Sequence, residues 1–266
     1  MKHRTLTRLF SAIALAVSLT IAAPVSAATI QLGFILDSSG SITAGGWNTI
    51  VNGLSSAIST FVPVGGPNTY EISVVSFSST TQTVVNHMLI DTLAARTAAA
   101  AAVAAAPFLN ANTNYALAFG AMQTALSTSP NWNGGAVTSY VNFATDGAPN
   151  EPVDFTTGLA AGITARNALL AAGVDNISIE GIGISGAGAT ILQNSFCSPG
   201  PCDTTQPFNF PAQGFYIGVA NATEYANAIS GKIQVVTETP VPEPASMLML
   251  GTGLLLVGRR RLLRRA

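Results

Sequence analysis

The hydrophobic pattern begins with an apolar run, Leu32 to Leu36, that stops at Asp37-Ser38-Ser39-Gly40-Ser41. A run of this length closed by a polar turn reads as a buried strand. The period then turns helical. Ile50, Leu54, Ala57, Ile58 and Phe61 predict a helix over Ala44–Phe61, with Thr43 as N-cap and Pro63 and Gly65-Gly66-Pro67 as its stop. Tyr70–Phe77 is β-branched and apolar, a second strand, and Thr80–Ile90 alternates in part, a third in hairpin contact with it. Asp91–Ala106 is an alanine-rich helix ended by Pro107 and expected on the solvent side. A helix over Asn114–Ser127 follows, then a strand over Val137–Ala144 that runs into Thr145-Asp146-Gly147. Further helices are predicted over Thr156–Ala172, Ala187–Ser195 and Ala222–Val236, and further strands over Asn176–Ile184 and Gln213–Val219.

Strands alternating with helices at this spacing imply an α/β fold. The expected form is a doubly wound, mostly parallel sheet with helices on both faces and one antiparallel edge strand. Ligands of such sheets bind outside the carboxyl ends of the strands. Asp37 and Asp146 each stand at such an end.

The ends of the chain change the charge picture. Met1–Ala27 has a basic start, an apolar run from Leu9 to Val25 and a small-residue close at Val25-Ser26-Ala27, the pattern of a secretory signal peptide. The mature start falls at Ala28, with Thr29 as the alternative. At the other end, Thr237–Pro240 reads as a linker, and Pro242-Glu243-Pro244 leads into an apolar stretch, Ala245–Gly258, and a terminal arginine cluster. A full membrane span takes about 20 residues, so this stretch is marginal, and its arginines should stay cytoplasmic. Without both ends, Ala28–Pro240 holds three basic and eleven acidic side chains, a net charge of −8. That is a poor nucleic-acid binder and a reasonable host for cations. Cys197 and Cys202, the only cysteines, would pair in an oxidising compartment to close a short loop.

Asp37, Ser39 and Ser41 are spaced i, i+2, i+4, which sets three oxygens on one side of an extended loop. Thr113, in a loop rich in asparagine, and Asp146 could add two more. Oxygen donors of this kind suit Mg²⁺, with Mn²⁺ or Ca²⁺ as alternatives.

These residues carry a resemblance to the von Willebrand factor type A (VWA) domain and its metal-ion-dependent adhesion site (MIDAS). That pattern is Asp-x-Ser-x-Ser after the first strand, a Thr before a later helix and an Asp after the next strand. Asp37, Ser39, Ser41, Thr113 and Asp146 fill it in order, over about Thr29–Val236. The resemblance implies a metal held directly by the serines, with the Thr and both Asp acting directly or through water. A partner's carboxylate would complete the coordination sphere. Asn112 departs from the family, in which a glycine often precedes the Thr, and the cysteine loop looks like an insertion. The segment Val241–Ala266 resembles the PEP-CTERM sorting signal of Gram-negative bacteria, with Pro242, Glu243 and Pro244 as its motif. That resemblance implies processing by an exosortase-type membrane enzyme and a transient stay in the membrane. The destination would be the cell surface or extracellular matrix.

Other residues have blander readings. Glu151 and Asp154 are expected to be solvated, Trp47 and Trp132 to pack, and His87 to sit on an edge strand. A serine hydrolase would need a histidine base and a Gly-x-Ser-x-Gly elbow, and no elbow surrounds Ser39. Gly181-Ile-Gly183-Ile-Ser-Gly186 matches a dinucleotide fingerprint, but it lies in a late strand rather than after the first. The expectation is therefore a non-enzymatic, secreted, metal-dependent binding module for a protein or polysaccharide that offers a carboxylate. The alternative is a matrix scaffold whose metal only stabilises the fold.

Overall fold

The computed structural model describes residues 28–135 and 137–238. The signal segment Met1–Ala27 and the sorting segment Val241–Ala266, including Pro242, Glu243 and Pro244, lie outside the described residues. β1 (Ala28–Asp37) is the hub. It is buried without a break from Ile30 through Ser39. A strand covered by helices on both faces needs apolar side chains on both, which is why its sequence runs rather than alternates.

β1 pairs in parallel with β2 (Asn68–Phe77) on one side and β4 (Thr138–Thr145) on the other. β5 (Asn176–Ile182) and β6 (Tyr216–Val219) extend the parallel sheet beyond β4. β3 (Thr81–Ile90) lies antiparallel to β2 at the edge, with a register shift facing His87. The order is β3-β2-β1-β4-β5-β6. Successive connections leave β1 and β4 in opposite directions, so the switch point of the sheet lies between their carboxyl ends.

Two helical layers cover the sheet. On one face α1 (Thr43–Phe61) packs against α6 (Ala222–Glu238). Their approach is close enough that a β-carbon on Gly53 would fall 2.4 Å from the Ala226 β-carbon. α2 (Leu93–Ala104) leans on α1 and β3. On the other face lie α3 (Tyr115–Ser127), α4 (Phe155–Ala171) and α5 (Gly186–Ser195). They enclose a core built on Phe77, Tyr115, Phe119, Phe143 and Phe196. Gly33 of β1 admits Met122 there, since a β-carbon would lie 2.7 Å from its sulfur.

Several elements differ from expectation. The alanine-rich helix is not simply solvent-side, because Ala99, Ala100 and Val103 are buried. α6 continues through Thr237, whose carbonyl accepts the Tyr70 hydroxyl at 3.0 Å, so the linker does not begin at Thr237. β6 starts at Tyr216 rather than Gln213. Gly214 is instead committed to the cysteine loop, donating to the Pro199 carbonyl and accepting from Asp203. Cys197 and Cys202 form a disulfide in that loop. Trp47 and Trp132 are both buried, and Trp47 Nε1 donates to the Ala106 carbonyl at 2.8 Å. Gly181 sits inside β5, where a β-carbon would fall 2.2 Å from the Tyr216 hydroxyl. Close backbone packing accounts for that glycine.

Candidate metal centre

At the carboxyl end of β1 the chain turns sharply. Ser39 N–H donates to Asp37 Oδ1 at 2.9 Å, and a 3-10 turn over Gly40–Ile42 brings Ser41 around. The Ser39 and Ser41 hydroxyls are 3.1 Å apart, and Ser41 donates to Asp146 Oδ1 at 2.8 Å across the switch point. The other carboxylate oxygen of Asp37, Oδ2, accepts from Thr145 Oγ1 at 2.6 Å. Thr145 Oγ1 in turn lies 3.2 Å from the Tyr115 hydroxyl, which donates to the Gly147 carbonyl. The structure thus brings Asp37, Ser39, Ser41 and Asp146 into one hydrogen-bonded group.

The third segment is laced to the first. Gly40 N–H donates to the Ala111 carbonyl at 2.9 Å, Asn110 N–H to the Ser38 carbonyl at 3.0 Å, and Leu109 N–H to Ser38 Oγ at 2.9 Å. Thr113 is buried two residues beyond this lacing. Its N–H donates to Asn150 Oδ1 at 2.9 Å, and its carbonyl accepts from the N–H groups of Asn150 and Glu151. Its hydroxyl is hydrogen-bonded to none of the other four candidate residues. Asn112, the departure from glycine, is also tied down. Its N–H donates to Ser79 Oγ, and its amide donates to Glu151 Oε1 at 3.1 Å. Glu151 also accepts from Ser79 Oγ at 2.7 Å. These bonds hold its carboxyl below the usual range, so Glu151 is anchored rather than free in solvent. Asp154 caps α4 by accepting from Thr157 N–H at 2.8 Å.

The electrostatics single out the two aspartates. Burial pushes the Asp37 carboxyl up to about 6 against the pull of its Ser39 and Thr145 hydrogen bonds. Loss of water also raises Asp146, which its bond to Ser41 opposes. Two anions held where water is scarce are a poor arrangement without a cation and a good one with it. Among the described residues no cluster of three or more His, Cys, Asp or Glu side chains occurs. The donors here are two carboxylates and several hydroxyls, hard oxygens that fit Mg²⁺, Mn²⁺ or Ca²⁺ better than a soft metal. Ser41 is exposed and Asp146 half-buried, and both line a groove of about 540 Å³ that runs on to Thr43, Gly46 and Asn221.

Fold and site together define a doubly wound domain with a cluster of carboxylate and hydroxyl oxygens at its switch point. The sequence model of the von Willebrand factor type A domain matches residues 31–211, and the chain belongs to that family. The model of the PEP-CTERM protein-sorting motif matches residues 240–265. Among solved structures, proximal thread matrix protein 1 from the mussel byssus, with a zinc-occupied MIDAS motif, superposes with a TM-score of 0.58 at 16% identity. That match covers 79% of this chain and 48% of that protein. The von Willebrand factor type A protein from Catenulispora acidiphila gives a TM-score of 0.56 at 14% identity, covering 81% and 44%. The pilus adhesin SpaC from Lactobacillus rhamnosus GG gives 0.55 at 14% identity, covering 79% and 30%. The chain therefore spans less than half the length of each of these proteins. No functionally curated protein matches it at a significant level.

Thr145, Tyr115 and Asn150 were not among the site residues expected from the sequence. Thr145 had a signal, standing directly before Asp146 at the strand end. Tyr115 and Asn150 had none, since each acts across more than 30 residues of chain.

Proposed function

We propose that the protein is an exported, surface or matrix binding module that grips an acidic group of its partner through a divalent cation, Mg²⁺ by preference. Asp37, Ser39, Ser41, Thr113 and Asp146 would hold the ion. The observation that carries this reading is the meeting of two destabilised aspartates with the Ser39 and Ser41 hydroxyls at the switch point. A cation there supplies Lewis acidity and positive charge to a partner's carboxylate. Ser38, Thr145 and Tyr115 keep the loops in place so that little reorganisation accompanies binding. Nothing in this scheme needs a catalytic base, and the reading is of a binder, not an enzyme.

The neighbours support the setting. The byssus protein is a matrix protein with zinc in its MIDAS motif, and SpaC is a pilus adhesin. The basic-apolar leader and the PEP-CTERM motif favour export and sorting by an exosortase-type enzyme, with the tail passing through the membrane on the way to the surface. The test is a melting curve of the purified protein in EDTA, Mg²⁺ and Zn²⁺. Mg²⁺ should raise the melting temperature in the wild type and not in Asp37→Ala. Identical wild-type curves with and without EDTA refute the metal site, and a shift with Zn²⁺ alone refutes the choice of ion.

The scaffold reading is favoured by the matrix role named for the byssus protein. It predicts a Mg²⁺-dependent melting shift with no Mg²⁺-dependent partner binding.

A further inference from the structure

Beside the metal loops lies an apolar pocket of about 200 Å³ between α3, α4 and α5. Its wall is formed by Tyr115, Phe155, Leu159, Ile184, Ile191 and Leu192, with Gly147 at the rim. Core residues would be sealed, but here Phe155 is 42% exposed and Leu159, Ile184 and Ile191 are half-buried. Solvent therefore reaches a surface made almost wholly of carbon.

The pocket and the metal centre share their partition. Gly147 lines the pocket, and a β-carbon on it would lie 3.9 Å from Ser41 Oγ. Tyr115 puts its ring into the pocket wall, while its hydroxyl meets the Gly147 carbonyl and Thr145 beside Asp37. A group bound at Ser41 and Asp146 is thus one residue's width from an apolar hole. Pockets for drug-sized ligands run to about 300–1,000 Å³, whereas an apolar cavity of about 150 Å³ admits benzene. This one is sized for a single branched or aromatic side chain.

We infer that the partner is a protein segment in which an acidic residue stands next to a large apolar one. The acid meets the cation and its neighbour fills the pocket. This inference rests on the metal-dependent reading of the same site. Charge selects the same occupant. The domain carries a net charge of −8 between Ala28 and Pro240. A polyuronate brings a carboxylate on every sugar, and only one can face the cation while the rest meet a domain whose net charge has the same sign. Its rings also offer nothing to an apolar hole. A segment with one acid and one apolar anchor suffers neither penalty.

The experiment titrates the protein in Mg²⁺ with four probes. Two are blocked tetrapeptides with leucine before or after aspartate, the third replaces that leucine with glycine, and the fourth is trigalacturonate. The better leucine peptide should bind about tenfold or more tighter than the glycine peptide, from the apolar area it buries. Ile191→Gln and Leu159→Gln should reduce that preference to less than about twofold. The glycine peptide's affinity and the Mg²⁺ melting shift should stay unchanged in both variants. Equal binding of leucine and glycine peptides, no binding of either, or tighter binding of trigalacturonate overturns the inference. If the Mg²⁺ shift persists in those cases, the metal site stands without the pocket. Loss of both the shift and peptide binding overturns the two together.

Discussion

Replacing Asp37 by asparagine should stabilise the metal-free protein at neutral pH while abolishing its response to Mg²⁺. A carboxyl moved from 3.8 to about 6 by folding makes its anion cost the fold about 3 kcal/mol at pH 7. The protonated form is the one the fold favours. Stability from this group is therefore fully present below pH 3.8 and lost as the pH rises through about 6. Asparagine is neutral throughout and keeps the hydrogen bonds. Its oxygen can accept from Ser39 N–H. Its amide can donate to Thr145 Oγ1, whose proton then turns to the Gly147 carbonyl 3.1 Å away. For a domain of this size about 3 kcal/mol corresponds to about 6–12 °C in melting temperature. The assay is urea or thermal unfolding in EDTA from pH 4.5 to 7.5, wild type against Asp37→Asn. The variant should gain on the wild type as the pH rises and gain nothing from Mg²⁺. The same pH dependence in both proteins, or a variant less stable at pH 7, refutes the reasoning.

Three other outcomes follow from the structure. Ser41→Ala removes the bond to Asp146 at the exposed side of the site, and should weaken the Mg²⁺ melting shift with little change in the metal-free melting temperature. Lys232 and Glu180 form a buried ion pair at 2.8 Å beneath α6, so Lys232→Met, which strands the acid, should cost about 3–5 kcal/mol in urea unfolding. Adding Glu180→Gln should recover much of that loss. Gly53→Val drives side-chain carbon into Ala226 at the α1–α6 contact, and should cost about 1–3 kcal/mol by the same measurement.

The centre of the sheet was legible because its strands are buried on both faces. β1 therefore carries the apolar run Leu32–Leu36, β4 is a buried strand in which Ser139 and Asn142 interrupt the apolar residues, and the carboxyl ends of the two are marked by Asp37 and Thr145-Asp146. α1 and α3 followed from helical spacing, to within a residue or two. The doubly wound order with an antiparallel edge follows from those alternations. Ends fixed by distant partners were not legible. The limit of α6 depends on Tyr70 meeting Thr237, and the start of β6 depends on Gly214 closing the disulfide loop. In the site, the local triplet Asp37, Ser39 and Ser41 was readable from spacing. The groups that aim it were not, since Tyr115 reads as a core aromatic and Asn150 as a loop polar residue. Glu151 reads as a solvated acid, but Asn112 and Ser79 hold it, and no spacing rule links those positions. Glu180 had a weak signal, an acid inside the apolar run NISIEGIGI, with Lys232 far away on α6 as its partner.

The most direct test is diffraction from Mn²⁺-soaked crystals of the protein, collected at the manganese edge. An anomalous peak is expected at the switch point, within about 2.0–2.3 Å of Ser39 Oγ and Ser41 Oγ. Asp37, Thr113 and Asp146 should reach it directly or through water, with a coordination position facing solvent. Mn²⁺ bound elsewhere, or no peak at saturating concentration, contradicts the assignment of this site as a cation centre.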